Sequence, residues 1–173
     1  MPSFHFDTTW HLEAPIAVVF DVLTDSLHWP EWWPGLVEVQ PLEAGNESGI
    51  GRTQRFVWKS RLGYFLRFDI RITRVCEPYL IEGRASGDVA GVGSWRLDGN
   101  ERITRVRYCW QVRTVRPWMA VLARVARPLV VWNHHAMMRE GRVGLVRHLG
   151  LSTGHSGCGA GRDRQESVDH HGK

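Results

Sequence analysis

Between Leu36 and Thr114 the chain is written in the two-residue period of β-strands, and from Trp118 to His148 it changes to a helical period. Two strand segments carry the alternation clearly. In one, Tyr64, Leu66, Phe68, Ile70 and Ile72 oppose Arg67, Asp69 and Arg71; in the other, Val106, Tyr108, Trp110 and Val112 oppose Arg105, Arg107, Gln111 and Arg113. Such a strand has one face in a core and one in water, as strands of antiparallel sheets do. Six strands are predicted here, at 36–42, 52–60, 63–75, 80–86, 93–98 and 103–114, with turn signals at EAGNESGIG, EP, SGDVAGVG and DGNE.

A further strand comes first, with Phe4, Phe6, Thr8, Trp10 and Leu12 on one side and His5, Asp7, Thr9 and His11 on the other. EAPIAVVFDVLTD follows as a helix: Pro15 suits a first turn, and Ile16, Val19, Phe20 and Leu23 form its stripe. In the C-terminal helix Val121, Val125, Leu129 and Trp132 make a four-residue step, Pro128 should kink it, and Ala136, Met137 and Met138 continue the apolar surface. A single curved antiparallel sheet wrapped around that helix, an α+β fold, buries both apolar surfaces economically. One domain is expected over 1–150. From Leu151 onward, STGHSGCGAGRDRQESVDHHGK is Gly- and Ser-rich without periodicity, and a disordered tail is expected over 151–173.

Nine tryptophans exceed ordinary usage, so large rigid rings are being packed somewhere. Three of them stand in HWPEWWPG, where Pro30 and Pro34 interrupt regular helical hydrogen bonding. Trp29, Trp32 and Trp33 either cap the open end of the sheet and anchor a second short helix, or wall the mouth of a cavity.

Several function classes are set aside by placement. Arg67, Arg71, Arg105, Arg107 and Arg113 lie on the solvent side of strands, mixed with Asp69 and without an aromatic platform; they read as a solvated sheet face and not as a nucleic-acid surface. Cys76, Cys109 and Cys158 have no paired or metal-like spacing, and the opening MPSFHFDTTWHLEAP is amphipathic, which together predict a cytoplasmic setting. The most apolar run, MAVLARVARPLVVW, is interrupted by arginine, so no stable membrane insertion is expected. His155, Cys158, His170 and His171 match no metal site, and Gly87, Gly91 and Gly93 are not followed by a helix as a nucleotide loop would be. No metal or cofactor is expected.

APIAVVFDVLTD, HWPEWWPG, the Gly-led strand GIGRTQRFVW, EGRASGDVAGVGSWRL and VRYCWQV ahead of a long helix, in that order, resemble the polyketide cyclase/dehydrase and START-like lipid-transport superfamily, the helix-grip or SRPBCC-type proteins. The resemblance covers Phe4 to Gly150. It implies a seven-stranded curved antiparallel sheet gripping a long C-terminal helix, two short helices after the first strand, and an elongated apolar cavity between sheet and helix. Members include carriers, sensors and cyclases, so fold is implied more strongly than reaction. The expected function is binding or transport of a small hydrophobic ligand, a lipid or aromatic polyketide; the alternative is a polyketide cyclase/dehydratase-type enzyme using polar groups in the same cavity.

By alternation, Trp58, Phe68, Ile70, Trp95, Tyr108, Trp110 and Val112 point toward the helix, with Trp132, Asn133 and Met137 answering from it and Trp32 and Trp33 at the mouth. A core this aromatic is either full or, because one helix cannot fill a deeply concave sheet, leaves a cavity. For an enzyme the polar candidates are Tyr108, Glu82, Arg84 and Asn133, with Asp88 in the turn after them. The parity of Tyr79 to Ser86 is open: either Glu82 and Arg84 face inward, or Ile81, Gly83 and Ala85 do and the charged pair lies on the surface. His134 and His135 are expected on a partly exposed helix face.

Overall fold

The inward residues of each alternating segment meet on one surface. The computed structural model describes residues 3–115 and 117–150; the expected disordered tail lies outside them. Seven strands, β1 (Ser3–Leu12), β2 (Leu36–Glu43), β3 (Thr53–Lys59), β4 (Phe65–Cys76), β5 (Leu80–Gly87), β6 (Val89–Gly99) and β7 (Thr104–Thr114), form one antiparallel sheet in the order β1-β7-β6-β5-β4-β3-β2. On the outer face, arginines sit opposite carboxylates across strand pairs, Arg55 to Asp69 at 2.8 Å and Arg105 to Asp98 at 2.7 Å. Such exposed pairs contribute about 0–1 kcal/mol each, so the inner face carries the stability.

β6 begins at Val89, four residues before the expected start. SGDVAGVG is therefore mostly strand, and the turn shrinks to Gly87 and Asp88, where Gly87 takes φ +124°. Gly93 lies opposite Trp110, whose ring occupies the place a side chain would take; a Cβ there would meet the indole at 2.5 Å.

Between β1 and β2 run α1 (Ile16–Thr24), a 3-10 turn (Ser26–His28) and α2 (Trp29–Trp32). Ile16, Val19, Phe20 and Leu23 are buried, as their spacing predicts. HWPEWWPG, read from its prolines as irregular, contains one helical turn, because Pro30 stands in the first turn of α2, where a missing N–H breaks no intrahelical bond.

The C-terminal helix is two helices, α3 (Pro117–Val125) and α4 (Arg127–His148), which corrects the expected single kinked one. Ala126 leaves helical geometry and Pro128 falls in the first turn of α4. A stripe counted across this break does not belong to one face: Val121, Val125, Leu129 and Trp132 are exposed, and α4 buries Asn133, Ala136, Met138, Gly141 and Leu145 instead. Its close approach depends on glycine. A Cβ on Gly141 would overlap the Trp33 indole, and one on Gly144 would overlap the Trp32 carbonyl oxygen.

Gly to Ala inside a helix ordinarily gains about 1 kcal/mol. At Gly144 the obstacle is backbone, which cannot rotate away, so Gly144→Ala should destabilise by about 1–3 kcal/mol in urea unfolding despite that gain. A midpoint equal to or above the parent's would show that α4 does not seat this closely on α2.

Candidate ligand cavity

Cross-strand registry builds the walls. Trp95 lies opposite Tyr108 and stacks on it at 4.1 Å between ring centroids, and Phe56 lies opposite Phe68 and stacks at 6.0 Å. Between this surface and α4 an interior space of about 150 Å³ remains. Trp58, Phe68, Ile70, Trp95, Tyr108, Trp110 and Val112 line it from the sheet, Asn133 and Met137 from α4, and Trp29 and Trp33 at one end. The aromatic core is thus not completely filled. A second space of about 40 Å³ shares Trp29, Phe56, Ile70, Trp95, Tyr108 and Trp110 with it and adds a polar end made by Ser26, Arg52 and Gln54.

The structure divides the tryptophans of HWPEWWPG. Trp33 reaches the cavity and donates its indole N–H to the Met137 carbonyl at 3.0 Å. Trp32 is buried behind it, stacked on Trp33 at 5.4 Å and against His148, and does not line the cavity. The two rings thus differ in place: Trp33 lines the space and Trp32 packs behind it. Trp132 is a correction as well: it is exposed, because burial of Asn133 and Ala136 turns it away from the sheet.

Among the polar candidates, Tyr108 and Asn133 line the space. Tyr108 is partly buried among aromatic rings, desolvation pushes its phenol well above the ordinary range, and its hydroxyl makes no hydrogen bond among the described residues. It is a neutral donor facing the cavity. Asn133 lines the same space, but its Oδ1 accepts from the Ser60 hydroxyl at 3.2 Å and the Arg61 N–H at 3.0 Å, tying α4 to the β3–β4 loop. Glu82 and Arg84 do not reach it. Ile81, Gly83 and Ala85 are the buried set of β5, and Arg84 is exposed and lines a separate open groove. Asp88 is buried and accepts the Arg67 N–H at 2.9 Å, a structural use outside the cavity.

His134, expected on a partly exposed helix face, is half-buried there and turned toward the sheet. Its ring stacks on Phe6 at 3.8 Å, its Nε2 is buried without a partner, and it lines the cavity. Burial first, and the neighbouring His135 second, pull its pKa down to about 3. Arg52, at the polar end, donates to the Thr24 carbonyl at 2.9 Å while its buried Nε has no partner; burial lowers its pKa, yet guanidinium stays charged. No group of three or more metal-ligating side chains occurs among the described residues.

A curved seven-stranded antiparallel sheet closed by a C-terminal helix over an apolar interior defines the helix-grip class. The chain belongs to the polyketide cyclase/dehydrase and lipid transport family, whose model matches residues 3–150. Similar solved structures include the ZhuI aromatase/cyclase from Streptomyces sp. R1128, at 18% identity and TM-score 0.70 over 86% of this chain and 94% of that one. A START superfamily protein from Mycobacterium smegmatis is similar at 14% identity and TM-score 0.69, over 84% and 98% of the two chains. At these identities the likeness shows the fold. No curated protein matches the sequence.

The buried imidazole has a pH signature. Above the ordinary histidine pKa, His134 is neutral folded or unfolded; below it the unfolded chain takes up a proton that the folded chain refuses until about pH 3, so stability falls as pH drops through that window. The slope from this one group approaches about 1.4 kcal/mol per pH unit. His134→Phe keeps a ring against Phe6 and should flatten the acid limb of a stability–pH profile; parallel profiles for parent and variant would remove His134 as its source.

Proposed function

We propose that the space between sheet and α4 binds a small apolar molecule, with the Tyr108 hydroxyl donating to an oxygen on it. The observation that carries this reading is a largely aromatic space between sheet and helix, lined by a neutral donor whose hydroxyl makes no hydrogen bond among the described residues. An apolar space near 150 Å³ takes about one six-membered ring, below the several hundred cubic ångströms usual for larger ligands. The volume therefore favours a small hydroxylated or keto-substituted aromatic over a long acyl chain in this conformation. Arg52, Gln54 and Ser26 beyond Tyr108 offer a second oxygen a polar end.

A cyclase- or dehydratase-type reaction is the second reading, favoured by one observation: neutral His134 and neutral Tyr108 line the same space. Such chemistry needs a base that accepts a proton and a donor that polarises a carbonyl; with its pKa drawn down to about 3, His134 is a weak base in this conformation, which places this reading second.

Titration with 2-naphthol, followed by calorimetry and tryptophan emission, tests the first reading. Trp33→Phe should weaken binding and Trp32→Phe should leave it unchanged, since only Trp33 lines the space. Tyr108→Phe should cost about 0.5–1.5 kcal/mol of affinity. If neither naphthol nor other single- and two-ring phenols bind, or if the two tryptophan variants behave alike, the reading fails. An enzyme would instead lose about a hundredfold in turnover of a polyketone on Tyr108→Phe with binding nearly intact.

A further inference from the structure

Among the described side chains of the arginine-interrupted run MAVLARVARPLVVW the cavity takes only Val130, and no helix among the described residues is long and apolar enough to cross a membrane. Here the chain exposes Trp118 (45%), Val121 (64%), Val125 (80%), Leu129 (51%) and Trp132 (48%). Trp118, Val121 and Val125 follow three- and four-residue steps and so share one side of α3. Concentrated exposure of this kind marks a surface that is covered in use. It also leads inward: Trp118 packs edge-on against Tyr64 at 5.7 Å, and Tyr64 lines the cavity.

The charge around this surface has one sign. From Arg113 to Arg139 the sequence holds Arg113, Arg116, Arg124, Arg127 and Arg139 and no Asp or Glu. Arg113, Arg124 and Arg127 have no carboxylate partner among the described residues, whereas Arg55, Arg71, Arg105 and Arg107 on the sheet each have one. Arg113 and Arg127 also share an open groove of about 730 Å³ with Arg84, and no carboxylate lines it. A second copy seated on this face would bring arginine against arginine. An anionic bilayer answers both features, since its phosphates meet the arginines and its interface accepts tryptophan and valine.

We infer that α3 and the first turns of α4 form a peripheral docking surface for an anionic lipid bilayer, placing Tyr64 and the cavity behind it at the membrane surface. The docking stands on exposure and charge alone; exchange of an apolar ligand with the bilayer rests on the reading given under Proposed function.

The test is sedimentation of the full chain with vesicles of phosphatidylcholine alone or mixed with phosphatidylglycerol, at low and high salt. Binding to the anionic vesicles, weakened by salt, is expected. Val121→Asp with Val125→Asp alters only exposed side chains, so it should reduce that binding by about tenfold or more while the thermal midpoint and naphthol affinity stay at parent values. Arg124→Gln should lower binding severalfold and reduce its salt dependence. The inference is overturned if the parent stays in the supernatant with anionic vesicles, if the double variant pellets like the parent, or if the parent is a dimer that the double variant dissociates. Vesicle binding without binding of naphthol or any single-ring phenol would uphold the docking and remove the ligand reading; phenol binding without vesicle binding would do the reverse.

Discussion

The Trp33 indole joins three parts of the molecule that no strand or helix connects directly. Its ring centroid lies 5.2–6.1 Å from those of Trp10 on β1, Trp29 and Trp32 on α2, Trp58 on β3 and Trp95 on β6. Aromatic pairs at these separations contribute about 0.5–1.5 kcal/mol each beyond the area they bury, so the cluster is worth several kcal/mol against a net stability of the order of ten. Its N–H also fixes the register of α4 by donating to Met137, and the helix reaches that distance only because residue 141 has no side chain. One end of the cavity is therefore rigid, and where α4 can lie over the sheet is decided there.

Away from that end, the interior is left with few polar atoms, and their states follow from burial. Tyr108 and His134 are held neutral, while Arg52 keeps its charge at the far polar end. The other polar residues that sequence reasoning singled out are engaged elsewhere: Asn133 binds the β3–β4 loop and Asp88 binds the β4 backbone. Buried polar groups are satisfied wherever a partner is within reach, so a polar residue at an inward position is more often a latch than a reagent. A partnerless hydroxyl among aromatic rings is the more informative finding.

The sheet, its inward residues on β1, β3, β4 and β7, and the first helix were legible because alternation and helical spacing are local signals that burial obeys directly. β5 was not, since Ile81, Gly83 and Ala85 are too small as a set to outvote Glu82 and Arg84 by hydrophobicity; its parity is fixed by pairing with β4 and β6. Trp132 was misplaced, and the side of His134 that meets the sheet was not foreseen, for one reason. The helical phase was carried from Val121 through Pro128, but the break at Ala126 resets it, turning Trp132 outward and His134 toward Phe6. No spacing rule within the segment could have located that break, because Pro128 is compatible with either a kink or a first turn.

The same break bears on how large a ligand the interior could hold. Tyr64 and Val130 also line the cavity, and Tyr64 packs in turn against Trp118 on α3. The side-chain latches to the body of α4 lie C-terminal to Val130: Asn133 to Ser60 and Arg61, Met137 to Trp33, and Glu140 in an ion pair with Arg61. A displacement of α3 and the first turn of α4 would enlarge the space beside Tyr64 and Val130 without disturbing these contacts or the tryptophan cluster. Enlargement from the Trp33 end would separate Trp33 from five indoles. Any growth of the cavity beyond one ring is thus directed toward the exposed apolar side of α3, where the molecule has least packing to lose.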